Sequence, residues 1–184
     1  MGLRFAVDFG TTNTAAARWN DDYNTPEVLY LPDLSVSTDP PLIPSLVYAA
    51  SDGVIVGSRV RELKLDQRPD RRLFRNFKRS IITPLNESIR PIEGKAWTDR
   101  DAAALFLKRV LDALPAPLAD IETLVLTAPV GALDNYLVWL SKTLDLEASD
   151  KVHVVDESTA AALGYAVQVP GALALVVDFG GGTL

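Results

Sequence analysis

Two short segments at opposite ends of the chain constrain it more than any other feature. Val7-Asp8-Phe9-Gly10-Thr11-Thr12 near the start is echoed by Val177-Asp178-Phe179-Gly180-Gly181-Gly182-Thr183 at the end. Each sets an aspartate at the C-terminal end of an apolar, strand-like run. Each follows it with residues small enough for backbone N–H groups to approach an anion closely. Thr11, Thr12, Asn13 and Thr183 add side-chain donors. An aspartate beside a phosphate can hold Mg²⁺ or its water shell, because Mg²⁺ keeps several waters and takes only one or two carboxylates. Alone, either segment reads equally well as a glycine-containing turn whose aspartate satisfies local backbone. Together they favour a polyphosphate gripped from two sides. The chain contains neither GxxxxGK followed by Ser or Thr nor GxGxxG, which disfavours a P-loop enzyme and a Rossmann dehydrogenase.

Composition narrows the chemistry further. The 184 residues suit one domain, or one domain with a sizeable insertion. Acidic side chains outnumber basic ones 24 to 18, so nucleic acid is not an expected partner. Cysteine is absent, which excludes disulfides, thiolate zinc sites and cysteine nucleophiles. His153 is the single histidine, so a multi-histidine metal site cannot form within one chain. Placed inside a strand-like run, it reads as a core or edge residue rather than a catalyst. No window reaches the roughly 20 apolar residues of a membrane span, and the N-terminus lacks a leader pattern; the expectation is a cytoplasmic protein with no membrane partner.

Periodicity places these segments on elements. Leu3 to Phe9 and Thr14 to Trp19 read as strands around a tight polar turn, with a third strand from Glu27 to Leu31. Residues 32–44 carry Pro32, Pro40, Pro41 and Pro44 and read as a loop. Ser45 to Ala49 and Val54 to Val56 read as a hairpin, and Val60 to Ile82 as helical and basic. Thr98 with Asp101 forms a capping-box start for a helix whose inner face is Ala102, Phe106, Val110 and Leu114. Glu122 to Thr127 is a buried-looking strand. Leu133, Leu137, Leu140 and Leu144 are the expected inner stripe of the next helix. Val152 to Val155 is a strand, Thr159 to Ala166 a helix and Ala172 to Asp178 a last apolar strand. Such an order implies an α/β fold, a mixed sheet covered by helices.

Between the two glycine turns lies Asp156-Glu157-Ser158-Thr159-Ala160-Ala161-Ala162-Leu163-Gly164-Tyr165, an acidic pair at a strand end running directly into a helix. Asp156 or Ser158 can serve as its N-cap. With Asp8-Phe9-Gly10-Thr11-Thr12-Asn13 before it and Asp178-Phe179-Gly180-Gly181-Gly182-Thr183 after it, this segment resembles the seventy-kilodalton heat-shock chaperone family (DnaK type). The three segments resemble, in order, its first phosphate motif, its connecting motif and its second phosphate motif. The similarity runs from residue 2 to the last residue and reaches about the first half of that family's nucleotide-binding domain.

The resemblance implies an actin-like ATPase (ribonuclease H-like) lobe: a mixed five-stranded sheet flanked by helices, with core 1–32 plus 99–184 and a small inserted α+β subdomain over 33–98. It implies ATP or ADP and Mg²⁺ as ligands. Asp8 and Asp178 then match the aspartates that hold the magnesium waters. Gly10, Thr11, Thr12 and Asn13 match one phosphate loop, and Gly180, Gly181, Gly182 and Thr183 the other. Glu157 matches the carboxylate near the attacking water, and Pro129 the proline that relays nucleotide state. Catalytic roles fall by resemblance on Lys78, Glu157, Asp8 and Thr183. On the residues alone, Arg68, Arg71, Arg72, Arg75, Lys78 and Arg79 read as a solvated helical face, and the resemblance singles out only Lys78. Ser158 stands where the family has a proline, and Leu137 where it has an arginine.

The function implied is the ATP-binding portion of a molecular chaperone whose full-length form hydrolyses ATP and engages unfolded polypeptides and co-chaperones. The chain ends at Leu184 inside the second phosphate motif. A truncated protein that binds ATP weakly, hydrolyses it negligibly and self-associates through an exposed lobe face near 172–184 is therefore expected. Three alternatives stand beside this: a sugar kinase of the same superfamily, an actin-like filament protein, and a non-catalytic remnant acting as an interaction module.

Overall fold

Alternation in Leu3–Phe9 (β1) puts Phe5, Val7 and Phe9 on one face, all buried, while Ala6 and Asp8 face outward. The computed structural model describes residues 2–83, 88–129, 133–144, 150–164 and 175–177. β1 turns back into Asn13–Asn20 (β2), which continues antiparallel to Thr25–Val28 (β3). Next come Ile43–Pro44 (β4), Leu46–Ala50 (β5), Gly53–Val56 (β6), Ser58–Glu62 (α1), Leu73–Arg75 (β7) and Lys78–Ile82 (α2). Arg90–Ile92 (β8) and Lys95–Trp97 (β9) form a small hairpin ahead of Asp99–Asp112 (α3). Ile121–Ala128 (β10), Leu133–Leu144 (α4), Val152–Asp156 (β11) and Glu157–Gly164 (α5) complete the order.

The main sheet runs β11-β10-β1-β2-β3, with β4 paired to β2 beside this path. It is mixed, as expected: β10 lies parallel to both β1 and β11, whereas the pairs within β1–β4 are antiparallel. Among the described residues it holds six strands, where five were expected. The extra one, β4, lies in the proline-rich segment read as a loop; Ile43 and Pro44 are buried and pair with Thr14 and Asn13. A second sheet, β6-β5-β7, lies within 33–98. One buried cluster nevertheless joins both regions, since Phe74, Phe77 and Ile81 pack with Phe9, Phe106, Leu107 and Trp139.

Several expectations are corrected. The third strand covers Thr25–Val28, not 27–31, although the Leu29 N–H still reaches the Ala16 carbonyl at 2.7 Å. The stretch from Val60 to Ile82 is not one helical face. Two five-residue helices flank β7, whose pairing with β5 buries Leu73 and Phe74, so tertiary contact overrides local periodicity. On α4 the inner stripe is Tyr136, Trp139, Leu140 and Thr143; Leu133 and Leu137 are 39% and 36% exposed. The aromatic rings win the buried face because they fill the space beside Phe9, which stacks on Trp139 at 5.9 Å. Of the last expected strand only 175–177 are described. They belong to no strand, and Leu175 and Val177 are exposed. Tyr165 and Ala166 of the expected helix lie outside the described residues.

The capping box is present as read. The Thr98 side chain accepts from the Asp101 N–H, and Asp101 accepts from the Thr98 N–H. Ala102, Phe106 and Val110 are fully buried along α3, and Leu114 follows just beyond its end.

Candidate functional site

Parallel pairing decides where the polar ends of strands meet. Val7 is opposite Leu126, and Leu126 opposite Val154. The C-terminal ends of β1, β10 and β11 therefore lie side by side, carrying Asp8, Thr127 and Asp156 with Glu157. In open α/β sheets, the crevice outside such ends is where ligands bind. The Asp8 carboxylate accepts a 2.7 Å hydrogen bond from the Thr127 hydroxyl, fixing an otherwise exposed acid.

Lys78 reaches the same place from the second sheet. Asn76, at φ 56°, takes the left-handed conformation that asparagine tolerates and turns the chain from β7 into α2. Phe77 then anchors the start of α2, packing on Phe9 at 6.0 Å and Phe106 at 5.5 Å. Lys78 follows, only 2% exposed. Its ammonium donates to the Phe9 carbonyl and forms an ion pair with Glu157 at the start of α5. It also lies 5.7 Å from the Phe9 ring centroid and 5.9 Å from that of Tyr136. A buried ammonium needs such partners, because an uncompensated charge in the interior is costly.

The turn after β1 is held by the chain and not by its own residues alone. The Ser45 hydroxyl donates to the Gly10 carbonyl at 2.8 Å, and the Ser45 N–H to the Thr12 carbonyl at 2.9 Å. Buried Thr14 and Ser45 share a further hydroxyl contact at 3.0 Å. Gly10 is required by space: a Cβ there would lie 2.1 Å from the Asn13 carbonyl oxygen. Thr11 and Asn13 are partly exposed and Thr12 is exposed, so this loop faces outward beside Asp8.

Asp156 caps α5, accepting from the Ser158 hydroxyl at 2.6 Å and the Thr159 N–H at 2.8 Å. The Ser158 bond first, then those from Thr159, hold its carboxyl down to a pKa of about 2. This leaves Glu157, not Asp156, to meet Lys78. Pro129 is buried directly after β10. His153 is exposed on β11, which among the described residues is an edge strand.

The structure thus brings Asp8, Gly10, Lys78 and Glu157 to one end of the sheet, with Thr11, Thr12 and Asn13 in the adjoining turn. Asp178, Gly180, Gly181, Gly182 and Thr183 lie outside the described residues. The expected basic helical face does not form. Arg72 pairs with Glu93, Arg75 is in β7, and Arg68 and Arg71 are exposed outside any helix. Sequence reasoning missed Thr127, Ser45 and Tyr136 as neighbours of the site. The first could have been found, since a threonine one residue before the end of a parallel neighbour of β1 falls beside Asp8. Ser45 and Tyr136 left no signal, as each arrives from a distant element.

The constellation fits phosphate and a magnesium ion bound through it. A glycine turn with no room for a Cβ lies beside a fixed, exposed carboxylate and a lysine–glutamate pair. Among the described residues no group of three or more His, Asp or Glu side chains could cage a metal, so any cation here would share its shell with ligand and water. Among them too, no helix is long and apolar enough to cross a membrane.

No protein-family model matches the chain. Curated relatives do. The chaperone protein DnaK of Elusimicrobium minutum is 30% identical over 189 residues, covering 100% of this chain and 29% of that protein. The chaperone protein DnaK of Thermotoga maritima is 28% identical over 180 residues, covering 96% of the chain and 28% of that protein. That of Methanothermobacter thermautotrophicus is 27% identical over 190 residues, with 97% and 29% covered. The chain spans less than a third of the length of these relatives. Over nearly its whole length, it is similar to the DnaK chaperones, at low identity.

Proposed function

We propose that this chain is the ATP-binding, ATPase-domain-like portion of a DnaK-like chaperone, an actin-like lobe with core 1–32 plus 99–184 and an insertion over 33–98. The observation that carries this reading is the ion pair between Lys78 and Glu157, seated on the Phe9 carbonyl at the end of β1 and beside Asp8. Residues from three separate elements converge there, and Asp8, Lys78 and Glu157 are all positions that the resemblance singles out.

In this reading the Gly10–Asn13 turn lets phosphate approach the backbone, and Asp8 holds the waters of Mg²⁺. Asp178 and Gly180, Gly181, Gly182 and Thr183 are the further positions that the resemblance assigns to magnesium and phosphate. Bound Mg²⁺ neutralises charge developing on the phosphates. Glu157 accepts a proton from a water and orients it, while Lys78 fixes Glu157 and offers positive charge toward the terminal phosphate. The work is positioning and electrostatics, so a chain supplying part of a nucleotide clamp turns over very slowly. In the cytoplasm, as part of a longer protein, hydrolysis would be coupled to binding of unfolded polypeptides and co-chaperones. Self-association would involve the exposed segment around Leu175 and Val177.

The test is thermal unfolding of the chain across a millimolar Mg-ATP series, with ATP plus chelator and Mg²⁺ alone as controls. The expected result is a midpoint that rises with Mg-ATP, by about 1.4 kcal/mol of stabilisation at ten times Kd. Phosphate release should stay near background. A midpoint unmoved by Mg-ATP overturns the reading and favours an interaction module without nucleotide.

A further inference from the structure

Tyr136, on the inner face of α4, has no exposed surface. Its hydroxyl has no hydrogen-bond partner, and among the described residues it is the one buried side-chain polar atom so placed. A buried, unpaired hydroxyl is destabilising relative to a paired one. Phenylalanine would pack almost identically without that cost. The residue therefore carries a hydroxyl that the fold itself does not use.

Its surroundings say where that group points its chemistry. The ring packs on Trp139 at 5.6 Å, and its centroid lies 5.9 Å from the Lys78 ammonium. Burial first, then the nearby charges of Glu157 and Asp8, push its pKa well above the ordinary phenol value, so the group stays a protonated donor. Asp8 already accepts from Thr127, and Glu157 already faces Lys78. The residue that carries this unused donor thus lies beside the place where the strand ends, the ammonium and the carboxylates meet.

We propose that the Tyr136 hydroxyl is a ligand-binding group, donating to a phosphate oxygen of a nucleotide seated over the Lys78–Glu157 pair. A hydrogen bond to a charged oxygen is stronger than one between neutral groups and satisfies the orphan donor. The inference rests on the nucleotide reading above and assigns to it a residue outside the three motifs.

The experiment is Tyr136→Phe in the whole chain, measured for its unfolding midpoint without ligand and for apparent Kd toward Mg-ATP and Mg-pyrophosphate, each read from the ligand dependence of the midpoint. The expected result is a ligand-free midpoint equal to or above wild type, with affinity for both probes falling about tenfold. A lower ligand-free midpoint with unchanged affinity would give the hydroxyl a structural partner and overturn the proposal. Weakening toward Mg-ATP but not pyrophosphate would remove it from the phosphates and overturn it too. Wild type responding to both probes, with the variant matching it, sinks this inference alone. Wild type blind to both sinks the nucleotide reading and this inference with it.

Discussion

Glu157→Ala and Lys78→Met should destabilise the protein very unequally, although they break the same ion pair. Lys78 is 2% exposed, whereas the Glu157 side chain is 25% exposed. Removing the carboxylate strands an ammonium in the interior, which ordinarily costs about 3–5 kcal/mol. The Phe9 carbonyl and the faces of Phe9 and Tyr136 stay in place, so the cost expected here is about 2–3 kcal/mol. Replacing Lys78 by methionine keeps the stem that packs on those rings. It leaves a carboxylate that water can reach and one carbonyl without its donor, for about 1 kcal/mol. In the double variant no charge is buried, so Glu157→Ala adds little and the coupling energy is about 2 kcal/mol. Urea unfolding followed by fluorescence suits this, since Trp97 and Trp139 are buried at 6% and 4% exposure. Equal costs for the two single variants, or additive costs in the double, would refute the reasoning.

Two further outcomes are expected. The Asp156 carboxyl, held at about 2 against an ordinary 3.8, contributes stability above pH 3.8 that is lost as pH falls toward 2. Ser158→Ala should move this titration upward in carbon-detected NMR, and an unmoved titration would remove Ser158 as its main cause. On α4, Leu140→Ala should cost about 2–5 kcal/mol, while Leu137→Ala should stay within about 1 kcal/mol, because only Leu140 is buried. Comparable losses in chemical denaturation would restore the leucine stripe read from the sequence.

The two motifs that fall within the described residues, around Asp8 and Glu157, were visible in the sequence because each is local. A small residue after a strand-end aspartate, or an acidic pair entering a helix, is a statement about consecutive positions. The same holds for the capping box at Thr98 and for β1, β2, β10 and β11, whose apolar runs announce themselves. The turn at Gly10 also reads correctly, since backbone crowding against Asn13 is a short-range demand.

What fails is whatever depends on the partner. Leu73 and Phe74 look helical among arginines until β5 is there to pair with them. Ile43 and Pro44 look like loop until β2 offers its edge. The leucines of α4 compete with Tyr136 and Trp139 for one face, and the outcome depends on the ring of Phe9, which arrives from the first strand. By itself, then, the sequence determined the mixed α/β class, the principal strands and the identity of the outward-facing polar groups at their ends. Only the tertiary structure decided that Lys78 is buried against Glu157, that Thr127 holds Asp8, and that the Tyr136 hydroxyl is left without a partner. Local rules follow from covalent geometry over a few residues. The burial of a charge or the isolation of a hydroxyl is a property of the space that distant elements enclose.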